Sequence, residues 1–153
     1  MGVEIERRFL VKDGWQPAGE SIHMKQGYLP GTGPMLVRIR IEEDRRAVLT
    51  LKGRTEGITR SEYEYEIPMQ DAEELLLRCQ KRVVEKTRFF VPVGDYTWEV
   101  DVFAGANDGL VIAELELSDE NEVFDRPDWL GAEVSMDGRY YNVNLAEHPF
   151  SEW

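Results

Sequence analysis

The sequence predicts an α+β protein, mainly antiparallel β, folded as a closed eight-stranded barrel with a few helices outside. Three observations predict it. Short apolar–polar alternations recur along all 153 residues, separated by turn residues. Only one stretch has a clear helical period. Many alternating runs also carry two like charges spaced by two, which aims both at one face of a strand.

The elements follow in order. Val3 to Val11 alternates, with Val3 and Ile5 apolar and Glu4, Glu6 and Arg8 polar. Ile22 to Leu29 is a weaker run, closed by the turn Gly31-Thr32-Gly33-Pro34. Leu36 to Glu42 sets Val37, Ile39 and Ile41 against Arg38 and Arg40. Ala47 to Lys52 sets Leu49 and Leu51 against Thr50 and Lys52. Arg60 to Pro68 sets Glu62, Glu64 and Glu66 against Tyr63, Tyr65 and Ile67. Val84 to Val91, Tyr96 to Phe103 and Leu110 to Ser118 complete the set of strands. Period-2 alternation rich in Val, Ile, Tyr and Phe is the strand signal.

The clear helix begins after Asp71, a candidate N-cap with Glu74 three residues on. Ala72, Leu75, Leu76 and Cys79 then recur at helical spacing. A second helix is expected over Asp119 to Phe124, broken by Pro127 to Gly131. A short helical tail is expected from Met136 to Pro149. About eight strands with so few helices favour closure into a barrel.

Length implies a single domain over residues 1–153. One cysteine, Cys79, excludes an intramolecular disulfide and fits a reducing cytoplasm. No apolar run approaches a membrane span, and the acidic N-terminus is no signal peptide. Eighteen bases against thirty acids give a net charge of −12, which argues against a nucleic-acid or anionic-membrane binder. No Walker A, Cys-x-x-Cys or H-E-x-x-H motif occurs, and His23 and His148 stand in unlike contexts.

The charged rows carry the functional signal. Glu4 with Glu6, Glu62 with Glu64, Glu99 with Asp101 and Glu114 with Glu116 are acidic pairs. Arg38 with Arg40 and Lys86 with Arg88 are basic pairs. One such strand alone reads as an ordinary solvated face. A surface built for solubility would mix signs instead. Carboxylate pairs suit Mg²⁺ or Mn²⁺. Arginine and lysine pairs suit phosphate oxygens. Together they describe a metal–polyphosphate site, and an eight-stranded barrel is wide enough for one small ligand.

These residues resemble the CYTH family, the triphosphate tunnel metalloenzymes, and its short bacterial branch most closely. The resemblance rests on Glu4-Ile5-Glu6-Arg7-Arg8, where the family has E-x-E-x-K, and on ordered matches after it. These are Gln26-Gly27-Tyr28-Leu29, Val37-Arg38-Ile39-Arg40, Leu49-Thr50-Leu51-Lys52 and Arg60-Ser61-Glu62-Tyr63-Glu64. Glu85-Lys86-Thr87-Arg88, Glu99-Val100-Asp101-Val102-Phe103, Ala113-Glu114-Leu115-Glu116, Trp129 to Val134 and Arg139-Tyr140-Tyr141-Asn142 follow. Arg8 departs from the signature lysine, keeping the charge but replacing a point charge by a planar fork.

The resemblance implies an eight-stranded tunnel holding up to two metal ions and a triphosphate. Glu4, Glu6 and Glu116 would hold one metal. Glu64, Asp101 and Glu114 would hold a second, with Glu62 instead of or beside Glu64, and Glu99 facing solvent at the rim. Arg8, Arg38, Arg40, Lys52, Arg88 and Arg139 would clamp phosphate, with Lys25 and Arg60 as further candidates. Tyr28 and Lys86 would orient water or act as the base, with Lys86 as one more phosphate contact the alternative. The implied activity is metal-dependent hydrolysis of inorganic tripolyphosphate to orthophosphate, with a small-molecule substrate and a homodimer as the implied partners. The alternatives are hydrolysis of thiamine or nucleoside triphosphates, an adenylate cyclase, and a non-catalytic polyphosphate-binding module.

Overall fold

The computed structural model describes residues 2–80 and 83–153. Among these residues nine strands form: β1 (Gly2–Val11), β2 (Ser21–Tyr28), β3 (Leu36–Glu42), β4 (Arg46–Lys52), β5 (Thr59–Ile67), β6 (Val83–Val93), β7 (Tyr96–Phe103), β8 (Val111–Leu117) and β9 (Leu130–Glu133). Two α-helices accompany them, α1 (Met69–Arg78) and α2 (Asn142–Glu147), with three short 3-10 turns. Around the barrel the order is β1, β5, β4, β3, β2, β6, β7 and β8, returning to β1. Every pairing is antiparallel. The expected eight-stranded barrel is therefore present, closed by the β1–β5 pairing.

Alternation decides which residues enter the lumen. Apolar residues on the outer faces need cover. Helix α1 supplies it for Ile39, Ile41 and Ala47, with Ala72 at the contact. It packs so close that a Cβ on Gly27 would lie 2.8 Å from the Cys79 sulfur. Phe9, Trp98, Val100, Ala113 and Leu115 are covered instead by the segment after β8, which brings in Phe124 and Trp129. Trp98 meets Phe9, Phe124 and Trp129 edge to face at 5.6–5.7 Å, a favourable ring geometry. Helix α2 is not on the outside. It closes one end of the barrel, where Leu145 and Ala146 pack on Tyr28, Val84, Phe103 and Ile112. The opposite end carries Glu42, Arg46, Phe90, Glu99 and Glu116 and opens to solvent, with the Arg46 side chain 52% exposed.

The structure corrects three sequence expectations. Helix α1 starts at Met69 with Pro68 at the N-cap and no side-chain cap. Asp71 lies inside the first turn, where its charge still complements the helix dipole. Residues 119–124 form a turn and extended chain, not a helix. There Asp119 Oδ1 accepts from the Asn121 N–H at 2.8 Å. Glu122 accepts from the Ser118 N–H at 2.8 Å and its hydroxyl at 2.7 Å. Such local side-chain bonds compete with helix formation. Finally, the stretch past Trp129 forms β9, which continues along β1 beyond the end of β5.

Candidate active site

All eight barrel strands contribute to a cavity of about 350 Å³. Strand order sorts its charges into two walls. The contiguous strands β4, β3, β2 and β6 present Lys52, Arg38, Arg40, Lys86 and Arg88, with Gln26 and Tyr28 between them. The contiguous strands β7, β8, β1 and β5 present Glu99, Glu114, Glu116, Glu4, Glu6, Glu62 and Glu64. Arg8 and Arg60 are the cations on that acidic side.

Ions pair where the walls meet and, around Arg8, within the acidic wall. Arg88 Nε donates to Asp101 Oδ1 and Nη2 to Glu114 Oε1, both at 2.8 Å. Arg8 donates to Glu114 at 3.0 Å and to Glu6 at 2.9 Å. Lys52 Nζ lies 3.1 Å from Glu62 and 3.4 Å from Glu4. Burial alone would raise the carboxyl of Glu114, but Arg8, Arg88 and Lys86 outweigh it and hold it well below the usual range. Glu62 is lowered in the same way, burial being overcome by its bond with Glu4 and by Lys52.

Away from these pairs the walls are under-compensated. Arg38 donates to Thr50 Oγ1 at 3.0 Å and reaches Glu64 only at 3.5 Å, while its buried Nε has no partner. Arg40 Nε donates to the neutral Gln26 Oε1 at 2.8 Å. Burial, followed by the charges of Arg38 and Arg88, lowers the Arg40 guanidinium to about 10. On the opposite wall, burial and the neighbouring Glu114 and Glu4 push Glu6 well above the carboxylate range. Burial raises Glu4 to about 7 against the pull of Lys52. Carboxylate oxygens of Glu6, Glu99 and Glu114 lie within 4.8 Å of one another. This is an all-oxygen donor set suited to a hard divalent cation. The excess negative charge that raises Glu6 is what such a cation would relieve.

Most residues expected in the site line the cavity: Glu4, Glu6, Arg8, Tyr28, Arg38, Arg40, Lys52, Arg60, Glu62, Glu64, Lys86, Arg88, Glu114 and Glu116. Three do not. Lys25 is exposed on the outer face of β2, because its odd register points it away from Gln26. Arg139 stands outside, 64% exposed, paired with Asp137 at 2.8 Å and stacked over Trp153 at 4.9 Å. Asp101 is fully buried, and its two oxygens accept from Arg88 and Lys86. It holds those cations and is not among the residues lining the cavity.

Glu99 moves the other way. It stands at the open rim as expected, but its carboxylate turns into the cavity and joins the carboxylate cluster. Tyr28 and Lys86 are not joined directly. Gln26 Nε2 donates to the Tyr28 hydroxyl at 2.8 Å and to Asn142 Oδ1 at 3.1 Å, and Lys86 Nζ donates to that same oxygen at 2.8 Å. Gln26 and Asn142 both fall within the stretches that carry the family resemblance, yet the charge pattern does not single them out. The readable signal was the row Met24, Gln26, Tyr28, which turns an amide into an otherwise apolar lumen face.

A closed eight-stranded barrel with opposed cationic and acidic inner walls defines a class, and the chain belongs to it. The CYTH domain model matches residues 2–145, so this is a member of the CYTH family. The chain is 46% identical over 155 residues to an inorganic triphosphatase of Acetivibrio thermocellus, covering 100% of this chain and 99% of that one. It is 38% identical over 149 residues to an inorganic triphosphatase of Nitrosomonas europaea, covering 94% and 96% of the two chains. Among solved structures it is similar to the inorganic triphosphatase NE1496, with a TM-score of 0.68 and 37% identity over 94% of this chain and 97% of that one.

Proposed function

We propose that this protein is a metal-dependent hydrolase of linear triphosphates that releases orthophosphate from inorganic tripolyphosphate. The observation that carries the reading is the cationic wall, where buried Arg38 keeps an unpartnered Nε and buried Arg40 bonds a neutral amide, their carboxylate contacts being as long as 3.5 Å to Glu64 and 4.0 Å to Glu42. A linear polyanion laid along that wall satisfies both. The names of the relatives agree with this substrate.

Glu6, Glu99 and Glu114, with Glu4 and Glu116 beside them, would hold Mg²⁺ or Mn²⁺. Up to two ions would neutralise charge on the phosphoryl oxygens and polarise a bound water. The rest is done by the chain's own side chains. Arg38, Arg40, Lys52, Arg88 and Arg8 bind and align the phosphates. Water attacks the terminal phosphorus in line, a new P–O bond forms, and the bridging P–O bond breaks to release pyrophosphate as leaving group. Lys86 takes the proton of the attacking water. Burial lowers its ammonium to about 8 against the pull of Asp101, which makes a neutral amine available near neutral pH. Tyr28 accepts from Gln26, so its own O–H remains to donate to water or phosphate. Positioning and electrostatics supply most of such catalysis.

Purified protein incubated with tripolyphosphate, ATP or thiamine triphosphate, with Mg²⁺ or Mn²⁺, tests the proposal. The expected result is orthophosphate, fastest from tripolyphosphate and abolished by chelator. Cyclic nucleotide with pyrophosphate from ATP would overturn it in favour of cyclisation. Binding without turnover would leave a polyphosphate-binding module.

A homodimer belongs to the same proposal. Val3, Tyr63 and Tyr65, 45–56% exposed on the outer faces of β1 and β5, give it an uncharged surface. Sedimentation of the wild type against Tyr65→Lys checks it. A reducing, cytoplasmic setting is proposed on the buried free thiol of Cys79.

A further inference from the structure

Helix α2 seals its end of the barrel with apolar side chains, and one polar exception reaches past them. Asn142, at the start of α2, lines the cavity. Its Oδ1 accepts from Lys86 Nζ at 2.8 Å and from Gln26 Nε2 at 3.1 Å. The surroundings are Tyr28, Val84, Phe103, Leu145 and Ala146. An amide in such a seat costs stability unless bonded, and an apolar residue would seal the end as well.

The donor inventory explains what the amide does. An ammonium has three N–H donors. Lys86 gives one to Asp101 at 2.7 Å and one to Asn142, which leaves its third position for the cavity, an N–H in the ammonium and the lone pair in the neutral amine. Gln26 has two amide hydrogens, spent on Asn142 and on the Tyr28 oxygen. Gln26 Oε1 is taken by Arg40, so the amide has one orientation. One oxygen on the C-terminal segment thereby fixes Lys86 directly and Tyr28 through Gln26.

We propose that Asn142 is a positioning residue, which holds Lys86 and, through Gln26, Tyr28 in the geometry needed for attack on the terminal phosphoryl group. The proposal rests on the triphosphatase reading. Its direct content is the link between Asn142 and Lys86, which can be measured without turnover.

Asn142→Ala and Asn142→Asp test it. Asparagine and aspartate have the same shape, and both offer an acceptor to Lys86 and Gln26. With tripolyphosphate, Asn142→Ala is expected to lower kcat about tenfold or more, with KM within threefold and an unchanged melting temperature. Asn142→Asp is expected to recover kcat to within threefold at the top of its pH profile. That profile moves to higher pH, because a second carboxylate favours the ammonium. In ¹⁵N-lysine spectra, a solvent-protected ammonium signal missing from Lys86→Met is expected in the wild type and Asn142→Asp, and lost in Asn142→Ala.

Equal loss of kcat in both variants with lower melting temperatures would make Asn142 a filler of the barrel end and overturn the proposal. A rise in KM alone would assign it to ground-state binding and also overturn it. If the wild type releases no orthophosphate, the triphosphatase reading fails on its own. The ammonium signal then decides the link, and its persistence in Asn142→Ala overturns it.

Discussion

Arg88 and Arg40 stand on neighbouring sectors of the same inner wall, equally buried at 7% exposure, and their situations are opposite. Arg88 is on β6, next to the acidic strands, and reaches Asp101 and Glu114, which hold its guanidinium well above the ordinary value despite burial. Arg40 is on β3, flanked by cationic strands. Its short contact is a neutral amide, its carboxylate contact is Glu42 at 4.0 Å, and burial lowers it to about 10. Arg88's charge is matched by the protein's own carboxylates; Arg40's is left for a ligand to match. The seam between the walls carries structure as well as phosphate contacts, and the middle of each wall is left to the ligand.

The comparison breaks most visibly at Glu114, which belongs to both roles. It anchors Arg8 and Arg88 and contributes to the carboxylate cluster. Glu114→Ala is expected to reduce tripolyphosphate turnover by about 10²-fold or more, the scale of losing one electrostatic stabiliser. Steady-state kinetics on folded protein checks it, and turnover near the wild-type level would remove Glu114 from the site.

The two arginines themselves give the next effect. Arg88→Met takes one of two cations from each of the buried Asp101 and Glu114, leaving Lys86 and Arg8, and breaking such buried pairs costs about 3–5 kcal/mol. Arg40→Met removes a charge that burial already disfavours. It is expected to leave stability unchanged or raise it, while raising KM for tripolyphosphate at least tenfold. Urea unfolding of both variants separates them, and equal destabilisation would erase the distinction between seam and wall.

The acidic wall predicts a pH dependence in the metal-free protein. Glu4 ionises near 7 in the fold against 4.5 ordinarily. Its contribution is full below pH 4.5 and is lost as pH rises through 7, by about 3 kcal/mol. Glu6 is raised in the same sense. Glu114 is lowered, so its contribution is present above 4.5 and lost toward acid. Metal-free stability should therefore decline on both sides of about pH 5. Mg²⁺ with tripolyphosphate should raise the melting temperature more at pH 8 than at pH 5.5. An equal rise at both would separate metal binding from the ionisation of Glu4 and Glu6.

Period-2 spacing made the lumen rows legible in the sequence, because one residue of slip would flip a whole strand. It could not reveal the walls. That division depends on β2 pairing with β6 and on β1 closing against β5, contacts that span long stretches of chain. Asp101 shares the period of Glu99, yet the two diverge in role. Asp101 lies opposite Arg88 in register and is consumed by it, while Glu99 sits one step nearer the mouth and keeps its carboxylate in the cavity. No helix forms at residues 119–124, because their polar side chains bond the local backbone and each other.

The smallest expected effects belong to the cations that share the wall's chemistry but not its position. Lys25 is exposed on the outer face of β2, one residue from Gln26. Arg139 is paired with Asp137 and stacked on Tyr140 and Trp153 beyond the closed end. Exposed ion pairs contribute little, and neither cation can reach a phosphate in the lumen without leaving its present contacts. Lys25→Ala and Arg139→Ala should keep kcat/KM for tripolyphosphate within twofold. Lys52→Ala, which removes a cation lying between Glu4 and Glu62 inside the cavity, should lose at least tenfold in the same assay. A tenfold loss at Arg139 would mean that the C-terminal segment swings its guanidinium inward when substrate binds. A matching loss at Lys25 would mean that charge outside the barrel steers the polyanion to the mouth. Either result would extend the cationic wall beyond the lumen, where register alone now bounds it.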